Sequence, residues 1–391
     1  MENLVKKKRV LIFVGGYLPG FRFGGPVRSI SNMVDSLGDN FDFYIITLDR
    51  DLGAAEMYSC IEKNEFNKLD GCLVRYLSKT EFNLVSIRSL IKDVNPDLIY
   101  GNGFFGRDFC LRLILLKAFF NLKQPILVAP RGEFSRGALS IKSFRKRIYL
   151  WFFRGLNFHK LVHWHATNSI EKKEIQTVFG SGGDLQIHTA SNIPKKPNPS
   201  IVDSWPDKSN TLSIAFLSRI SPKKNLLYAI ELLQRIDFSV SFCIYGTIED
   251  KQYWKLCQQS IQRLPANIEV IYGGELLPQD VIGVLSSHDV FLFPTLGENY
   301  GHVIFEALSA GMIVLTSDRT PWGEIERGGA GWCVPLVESE KYVERLTFIH
   351  GLDEESLRNF RRDSLLFTIN YSENDRSIMD TESSFNKVFE T

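Results

Sequence analysis

The sequence has no excess of charge of one sign. Its 391 residues hold 46 Lys and Arg against 45 Asp and Glu, so the formal net charge is +1. A chain with this balance has no overall field that would attract a polyanion, and we expect no nucleic-acid partner. Any strongly charged surface must arise from local segregation of charge.

Long apolar runs are also missing. The stretch 111–120 is about half as long as the ~20 apolar residues that span a bilayer, and it contains Arg112 and Lys117. After the basic residues 6–9, the apolar run covers only Val10–Val14 before Gly15, which predicts a first β-strand and not a signal peptide. The expectation is a cytoplasmic protein whose only membrane contact would be peripheral, on the cytoplasmic face of the inner membrane.

The six cysteines contain no Cys-x-x-Cys pair, and several lie in apolar runs, where a free thiol behaves as a small hydrophobic group. A reducing compartment fits this usage. His163 and His165 share one face of a predicted strand, but no cysteine or third ligand lies near them in sequence. We therefore expect no metal and no cofactor.

The length predicts two domains, because a single hydrophobic core stops growing near ~250–300 residues. Short apolar strands alternate with helical patterns on both sides of a proline-rich stretch, residues 194–200, which blocks helix and sheet alike. Such alternation favours parallel sheets. The predicted strands are Val10–Val14, Phe43–Leu48, Leu73–Leu77, Leu98–Tyr100, Ile126–Ala129 and Leu161–Ala166, followed by Leu212–Leu217, Val240–Tyr245, Ile268–Tyr272, Val290–Phe293 and Ile313–Thr316.

The predicted organisation is therefore α/β, with two doubly wound, Rossmann-like domains facing a cleft. They cover residues 1–193 and 201–370, joined by the linker 194–200, and an amphipathic helix, Tyr371–Phe389, closes the chain. Ligands of open parallel sheets bind beyond the carboxyl ends of the strands. The informative residues should follow strands.

The most specific pattern is the stretch 291–311, which predicts a strand, a tight loop and a helix, with Glu298 and Glu306 eight residues apart. The helix is apolar nearly all round, so we expect Glu306 to be its one buried charge. The helix start, Asn299, Tyr300, Gly301 and His302, offers unpaired amides and a positive dipole end suited to a diphosphate. The alternative is a buried helix whose Glu306 pairs with an arginine.

This Glu-x7-Glu stretch resembles glycosyltransferase family 4, the group 1 glycosyltransferases, which have the GT-B fold. The segment 217–225 is similar to the family's arginine and lysine pair after the first strand of the C-terminal domain. The resemblance implies that Arg219 and Lys224 neutralise the diphosphate of a nucleotide-sugar donor, that Glu306 binds the ribose, and that Glu298 holds the donor sugar. Two cations at a departing diphosphate serve in place of a metal.

Glycine-rich turns after other strands extend the resemblance. Gly24 and Gly25 follow the first strand and would come near the donor phosphate, although a long turn without a ligand would also accommodate them. Gly274 and Leu276 resemble family loops around the nucleotide base, with ordinary turns as the alternative.

The acceptor side departs from the family pattern. Residues 101–106 form a literal G-x-G-x-x-G, but they follow the fourth predicted strand and lack the acidic ribose ligand, so a nicotinamide site is discounted and Asn102 is assigned to the acceptor side. Many family members carry a histidine where this chain has Pro130-Arg131-Gly132-Glu133. Arg131 could replace it as a cation, Glu133 could orient the acceptor hydroxyl, or the segment could be a surface turn.

The function predicted from this resemblance is a retaining glycosyltransferase that transfers a sugar to a hydroxyl, in bacterial surface polysaccharide synthesis and with a lipid-linked oligosaccharide acceptor. A nucleotide-sugar epimerase or hydrolase on the same fold, or a noncatalytic nucleotide-sugar-binding subunit, are the alternatives. The acid-free segment 136–160 combines Arg136, Lys142, Arg145, Lys146, Arg147, Arg154 and Lys160 with Phe144, Ile148, Trp151 and Phe152 on one predicted helix side. That side either docks on an anionic membrane or packs into the N-terminal domain.

Overall fold

The chain folds into two compact units. In the computed structural model, the described residues are 6–106, 109–140, 143–180, 182 and 185–391. The first unit comprises the chain up to Ile193 together with Asp375–Thr391, and the second comprises Pro194–Asn374. Each unit has its own mostly parallel sheet, which confirms the predicted α/β class with two Rossmann-like units.

An eight-stranded sheet lies at the centre of the first unit. Neighbouring strands are parallel except for one hairpin, and the central strands are buried along their whole length, as expected for a sheet covered on both faces. Its strands, in chain order, are β1 (Lys8–Phe13), β2 (Phe41–Leu48), β3 (Phe66–Leu69), β4 (Cys72–Leu77), β5 (Leu98–Asn102), β6 (Ile126–Ala129), β7 (His163–Ala166) and β8 (Ile187–Thr189). Its helices are α1 (Gly25–Leu37), α2 (Leu84–Val94), α3 (Cys110–Phe119), α4 (Arg136–Ser140), α5 (Ser143–Gly155) and α6 (Ser169–Phe179).

The spatial order of the first sheet is β3-β4-β2-β1-β5-β6-β7-β8. Asparagine side chains begin two of the helices, because Asn83 accepts from the amide of Ser86 and Asn168 accepts from that of Glu171. These caps fix where the chain turns from strand to helix.

A six-stranded, wholly parallel sheet lies at the centre of the second unit. Its strands are β9 (Leu212–Leu217), β10 (Val240–Tyr245), β11 (Ile268–Gly274), β12 (Val290–Phe293), β13 (Ile313–Ser317) and β14 (Gly331–Val334). Its helices are α7 (Leu226–Leu233), α8 (Lys251–Ile261), α9 (Val281–Ser286), α10 (His302–Ser309), α11 (Ser339–His350) and α12 (Glu354–Asn374).

The order of the second sheet, β11-β10-β9-β12-β13-β14, reverses direction between β9 and β12. The loops that leave β9 and β12 therefore diverge to opposite faces of the sheet. This is the topological switch point where open α/β sheets bind their ligands.

The end of the chain differs from the predicted single helix Tyr371–Phe389. Tyr371 belongs to α12, and the last helix, α13, covers Ser377–Phe389. The break lies at Asp375, whose carboxylate accepts from the amide of Ser377 and so competes with helix continuation. Helix α13 packs into the first unit through Phe385 and Val388, which join the core around β1, β2 and β4.

Three short strands, β3, β8 and β14, were not predicted. For β3 a signal was present, because the pairing of Leu69 with Cys72 leaves Asp70-Gly71 as a two-residue hairpin loop. The expected linker 194–200 also contains the start of a 3-10 helix, Pro199–Ser204, since proline is tolerated in a first helical turn. Among the described residues, no helix is both long and apolar enough to cross a membrane.

Candidate functional site

The loops at the switch point of the second sheet carry three of the predicted site residues. Arg219 and Lys224 lie in the loop after β9, and Glu298 lies in the loop after β12. The structure therefore brings together side chains that are more than seventy residues apart in sequence.

Lys224 and Glu298 form an ion pair in a mostly buried environment. The Lys224 Nζ lies 2.6 Å from Glu298 Oε1, and only 15% and 11% of the two side chains are exposed. The ammonium also lies 5.6 Å from the ring centroid of Phe293. A lysine held in this way is not a freely solvated residue.

Neighbouring contacts fix both partners of this pair. The Thr295 hydroxyl lies 3.0 Å from Glu298 Oε1. The amide of Leu296 donates to the carbonyl of Lys223, and the Asn225 side chain donates to the carbonyl of Pro294, at 2.9 and 2.8 Å. The two loops are thus joined by backbone as well as by charge, which preorganises the ammonium.

Arg219 lies on the same edge and is more accessible. Its Nη1 lies 2.8 Å from Glu249 Oε1, and more than a third of each side chain is exposed. The amide of Ile220 donates to the carbonyl of Thr247 at 2.8 Å, so the loops after β9 and β10 run side by side. At Gly246, φ is 125° and a Cβ would lie 1.9 Å from the carbonyl oxygen of Ser218, so only glycine permits this approach.

Helix α10 begins where the sequence predicts. Gly301 is its N-cap residue with φ of 80°, and His302 is the first helical residue. Asn299 and Tyr300 lie in the loop before it, and Tyr300 is buried. The helix N-terminus therefore lies at the same edge of the sheet as Glu298, because it directly follows the loop after β12.

Glu306 is half-buried, not buried as predicted. The buried residues of α10 are Ile304, Phe305, Ala307, Leu308 and Ser309. Glu306 instead lies one turn after His302 on the partly accessible side of the helix. The prediction failed because it counted apolar residues around the helix without knowing which side the sheet covers.

Gly274 and Leu276 lie at the end of β11. The Gly274 carbonyl accepts from the amide of Gly246 at 2.7 Å, and Leu276 packs partly buried against the core of the second unit. The hydroxyl of Tyr272 donates to the carbonyl of Gly246 at 2.9 Å. Hydrogen bonds therefore join the ends of β9, β10 and β11 into one continuous rim.

In the first unit, Gly24 and Gly25 lie at the start of α1. Gly24 has φ of 70° and is the N-cap residue, and α1 begins at Gly25. The Asp51 carboxylate accepts from the amides of Phe21 and Arg22 and so fixes the loop that leads to these glycines.

Arg131 lies in a partly buried turn, and its side chain belongs to a hydrogen-bonded network. Its Nε donates to Asn102 Oδ1 at 2.8 Å, its Nη1 to Asn192 and its Nη2 to the Tyr100 hydroxyl. Tyr100 in turn contacts His165 Nδ1 at 2.7 Å, and the other ring nitrogen of His165 lies 2.8 Å from the Ala190 carbonyl.

A carbonyl only accepts, so Nε2 of His165 carries the proton and Nδ1 accepts from Tyr100. Burial, together with the Arg131 charge, lowers the pKa of His165 to about 3, which keeps the ring neutral. Donation thus runs in one direction from Arg131 through Tyr100 to His165.

Glu133 holds the glycine-rich loop after β5. One carboxylate oxygen accepts from the amides of Phe104 and Phe105, the latter at 2.8 Å. Burial raises the pKa of Glu133, and the two amides oppose that rise. Two amides of the G-x-G-x-x-G stretch are thus already bound to a carboxylate, which disfavours a pyrophosphate at this loop.

Comparison with known proteins identifies the second unit. Residues 199–363 match the family model described as Glycosyl transferases group 1. The second unit is therefore similar to the group 1 glycosyltransferases. The match contains Arg219, Lys224, Glu298 and Glu306.

Solved structures extend the likeness to the whole fold. Sucrose-phosphate synthase from Thermosynechococcus elongatus aligns with a TM-score of 0.70 at 11% identity, over 98% of this chain and 100% of that one. HepE from Anabaena in complex with UDP-glucose aligns with a TM-score of 0.68 at 14% identity, over 98% and 100%. The predicted GT-B fold is confirmed.

A curated relative is the GDP-Man:Man(3)GlcNAc(2)-PP-Dol alpha-1,2-mannosyltransferase of Caenorhabditis elegans. It is 25% identical over 217 residues, which cover 51% of this chain and 44% of that protein. The match thus spans less than half the length of this relative.

Sequence reasoning missed several partners of the site residues. Glu249, Thr295 and Asn192 contact Arg219, Glu298 and Arg131, respectively. Glu249 follows a predicted strand, and Thr295 lies within the stretch 291–311. Both could therefore have been found by considering the residues that follow each strand. Asn192 follows no predicted strand, and no local signal indicated it.

Proposed function

We propose that this chain is a glycosyltransferase that transfers a sugar from a nucleotide-sugar to an acceptor hydroxyl with retention of the anomeric configuration. The observation that carries the proposal is the preorganised Lys224–Glu298 pair, with Arg219 in the same loop as Lys224, at the switch point of a domain that matches the group 1 glycosyltransferase model. The complex of HepE with UDP-glucose supports a nucleotide-sugar donor.

In this proposal the donor diphosphate lies against Arg219, Lys224 and the N-terminus of α10. As the bond between the anomeric carbon and the diphosphate oxygen breaks, its electron pair stays on the diphosphate, and the two cations stabilise the charge that develops there. The acceptor oxygen bonds to the anomeric carbon on the same face, and its proton passes to the departing phosphate oxygen. No protein nucleophile is assigned.

The remaining donor residues have subsidiary roles. Glu306, half-buried on the accessible side of α10, binds the ribose hydroxyls. Glu298 positions Lys224 and accepts a hydrogen bond from the donor sugar. Gly274 and Leu276 border the nucleotide base. Because two fixed cations face the diphosphate, we expect no metal requirement.

The acceptor is proposed to be a lipid-linked oligosaccharide, as the name of the mannosyltransferase relative from Caenorhabditis elegans indicates for that protein. Family resemblance supports a place in bacterial surface polysaccharide synthesis, at the cytoplasmic face of the inner membrane. On the acceptor side, the rigid network around Arg131 and Asn102 presents a fixed cation, and Glu133 acts by shaping the loop after β5.

Product analysis tests the proposal. The protein is incubated with UDP-, GDP-, ADP- and dTDP-sugars, with and without lipid-extract acceptors, and the products are resolved by mass spectrometry and NMR. We expect a glycosylated acceptor with the donor's anomeric configuration, lost in Lys224→Ala and kept in Lys223→Ala, an exposed lysine of the same turn. Sugar release or isomerisation without an acceptor would indicate a hydrolase or epimerase, and binding without products would indicate a noncatalytic subunit.

A further inference from the structure

Helix α5 presents an apolar side to solvent. Of the four side chains that the sequence places together, Phe144 and Trp151 are 75% and 70% exposed, and Phe152 and Ile148 are 55% and 43% exposed. The alternative that this side packs into the first unit is therefore wrong. The helix is held by its opposite side, where Phe153 is buried.

Cations border this apolar side on both flanks. Arg147 and Arg154 are exposed and seven residues apart, hence on one flank, and exposed Arg145 lies on the other. Residues 136–160 contain no Asp or Glu. Lys142 and the side chain of Arg136 lie outside the described part of the chain.

Lys146 does not belong to this surface. It is half-buried, its ammonium donates to the carbonyl of Ala138 at 2.6 Å, and it lies 4.8 Å from the ring centroid of Phe105. The docking surface is therefore defined here as Phe144, Arg145, Arg147, Ile148, Trp151, Phe152 and Arg154.

A cavity of about 390 Å³ opens beside the docking surface. Its lining is apolar and comes from α3, α5 and the turn after α5, including Leu111, Ile148, Phe152 and Phe158, with Arg145 as its one charged lining residue among those described. This volume lies within the range of ligand pockets in proteins. The apolar patch continues to Phe119, which is 66% exposed and packs on Phe158.

We propose that the docking surface binds an anionic bilayer and that the cavity receives one acyl chain of an anionic phospholipid, whose phosphate pairs with Arg145. Three observations support this occupant. Exposed aromatic and aliphatic side chains suit the boundary between headgroups and acyl chains, the flanking arginines match anionic headgroups, and the cavity is apolar with a cation in its lining. A water-soluble ligand would gain little binding energy from this apolar lining.

This inference rests on the proposed function only because a lipid-linked acceptor would bring the protein to a membrane. It adds which surface of the protein contacts the bilayer. Its test needs neither donor nor turnover, so its failure would leave the glycosyltransferase proposal standing. Conversely, a protein that lacked transfer activity could still bind vesicles as described.

Vesicle co-sedimentation of the full chain tests the docking surface. We expect binding to phosphatidylglycerol-containing vesicles and not to pure phosphatidylcholine, with a loss of about tenfold or more in Arg145→Glu with Arg147→Glu, and a further loss with added salt. The matched control is Lys251→Glu with Lys255→Glu, two exposed lysines of α8 in the second unit. Equal losses in both double variants, or no vesicle binding at all, would overturn the proposal.

Lipids with brominated acyl chains report insertion, because Trp151 is 70% exposed, whereas Trp254 in the second unit is half-buried and the other four tryptophans, Trp164, Trp205, Trp322 and Trp332, are buried. We expect quenching of the wild-type fluorescence that disappears in Trp151→Phe. Quenching that persists unchanged in this variant would place another surface at the membrane.

The cavity is tested separately with monomeric dihexanoyl phosphatidylglycerol, using glycerol phosphate as the headgroup-only probe. The short-chain lipid should raise the melting temperature of the wild type but not of Leu111→Trp, which fills the cavity and leaves the docking surface intact. An equal response to glycerol phosphate, or an unchanged response in Leu111→Trp, would overturn the acyl-chain site.

Discussion

Replacing Glu298 by glutamine should destabilise the free protein and leave its response to a diphosphate intact. The change removes the charge opposite Lys224 while the amide oxygen can still accept from Thr295. Breaking a fully buried ion pair costs about 3–5 kcal/mol. Because 15% and 11% of these side chains are exposed and one hydrogen bond survives, we expect about 2–3 kcal/mol for the second unit.

For a unit of this size, that loss corresponds to a fall of about 4–12 °C in melting temperature. Inorganic pyrophosphate supplies the missing negative charge without a nucleotide base. At one fixed high concentration it should therefore raise the melting temperature of Glu298→Gln by at least as much as that of the wild type. In Lys224→Gln the same addition should have little effect, because the ammonium that it would bind is gone.

Differential scanning calorimetry measures both quantities. Lys223→Gln controls for a general loss of positive charge in the same turn. A melting temperature of Glu298→Gln equal to that of the wild type would show that the pair contributes nothing. An unchanged pyrophosphate effect in Lys224→Gln would remove Lys224 from the anion site.

Three further changes test other parts of the structure. Glu306→Ala should weaken nucleotide binding by about 1.5–3 kcal/mol, the value of a hydrogen bond to a charged group, and titration calorimetry that gave an unchanged affinity would reject the ribose assignment. Arg219→Ala and Lys224→Ala should each lower turnover, and the double variant should lose less than their product because both act on one leaving group; activity that is abolished by EDTA and restored by magnesium would contradict this account. The first unit should lose stability as pH falls below 6.5, because burial lowers the pKa of His165 to about 3 and that of His163 to about 4 while the unfolded chain takes up protons near 6.5; urea midpoints that stay level or rise on acidification would refute the burial argument.

The interior strands of the two sheets could be predicted from sequence because they are predominantly apolar runs. Ile126–Ala129, Leu212–Leu217, Val240–Tyr245 and Val290–Phe293 begin and end as predicted. The missed strands lie at sheet edges and are only three or four residues long, so their apolar signal is short. At β14, Gly331 allows close approach to the carbonyl of Val314, and the neighbouring sequence does not indicate that contact.

The candidate site was less accessible to sequence reasoning, because its contacts link distant residues. The motif indicated that Lys224 and Glu298 both belong to the site, but not that they bind each other across 74 residues. The burial of Glu306 was predicted wrongly because helical periodicity does not say which side meets the sheet. The exposure of Trp151 and Phe152 was left open for the same reason. The sequence pattern of an apolar helix side is the same whether that side packs into the protein core or docks on a membrane.

The central claim, that the loops after β9 and β12 bind a nucleoside diphosphate, is tested most directly by titration calorimetry of the full chain with UDP, GDP, ADP and dTDP. We expect that at least one of them binds, that Lys224→Ala weakens its affinity by about tenfold or more, as for a lost charge-assisted hydrogen bond, and that Lys223→Ala leaves it unchanged. Absence of binding by all four, or equal affinity in Lys224→Ala and the wild type, would contradict it.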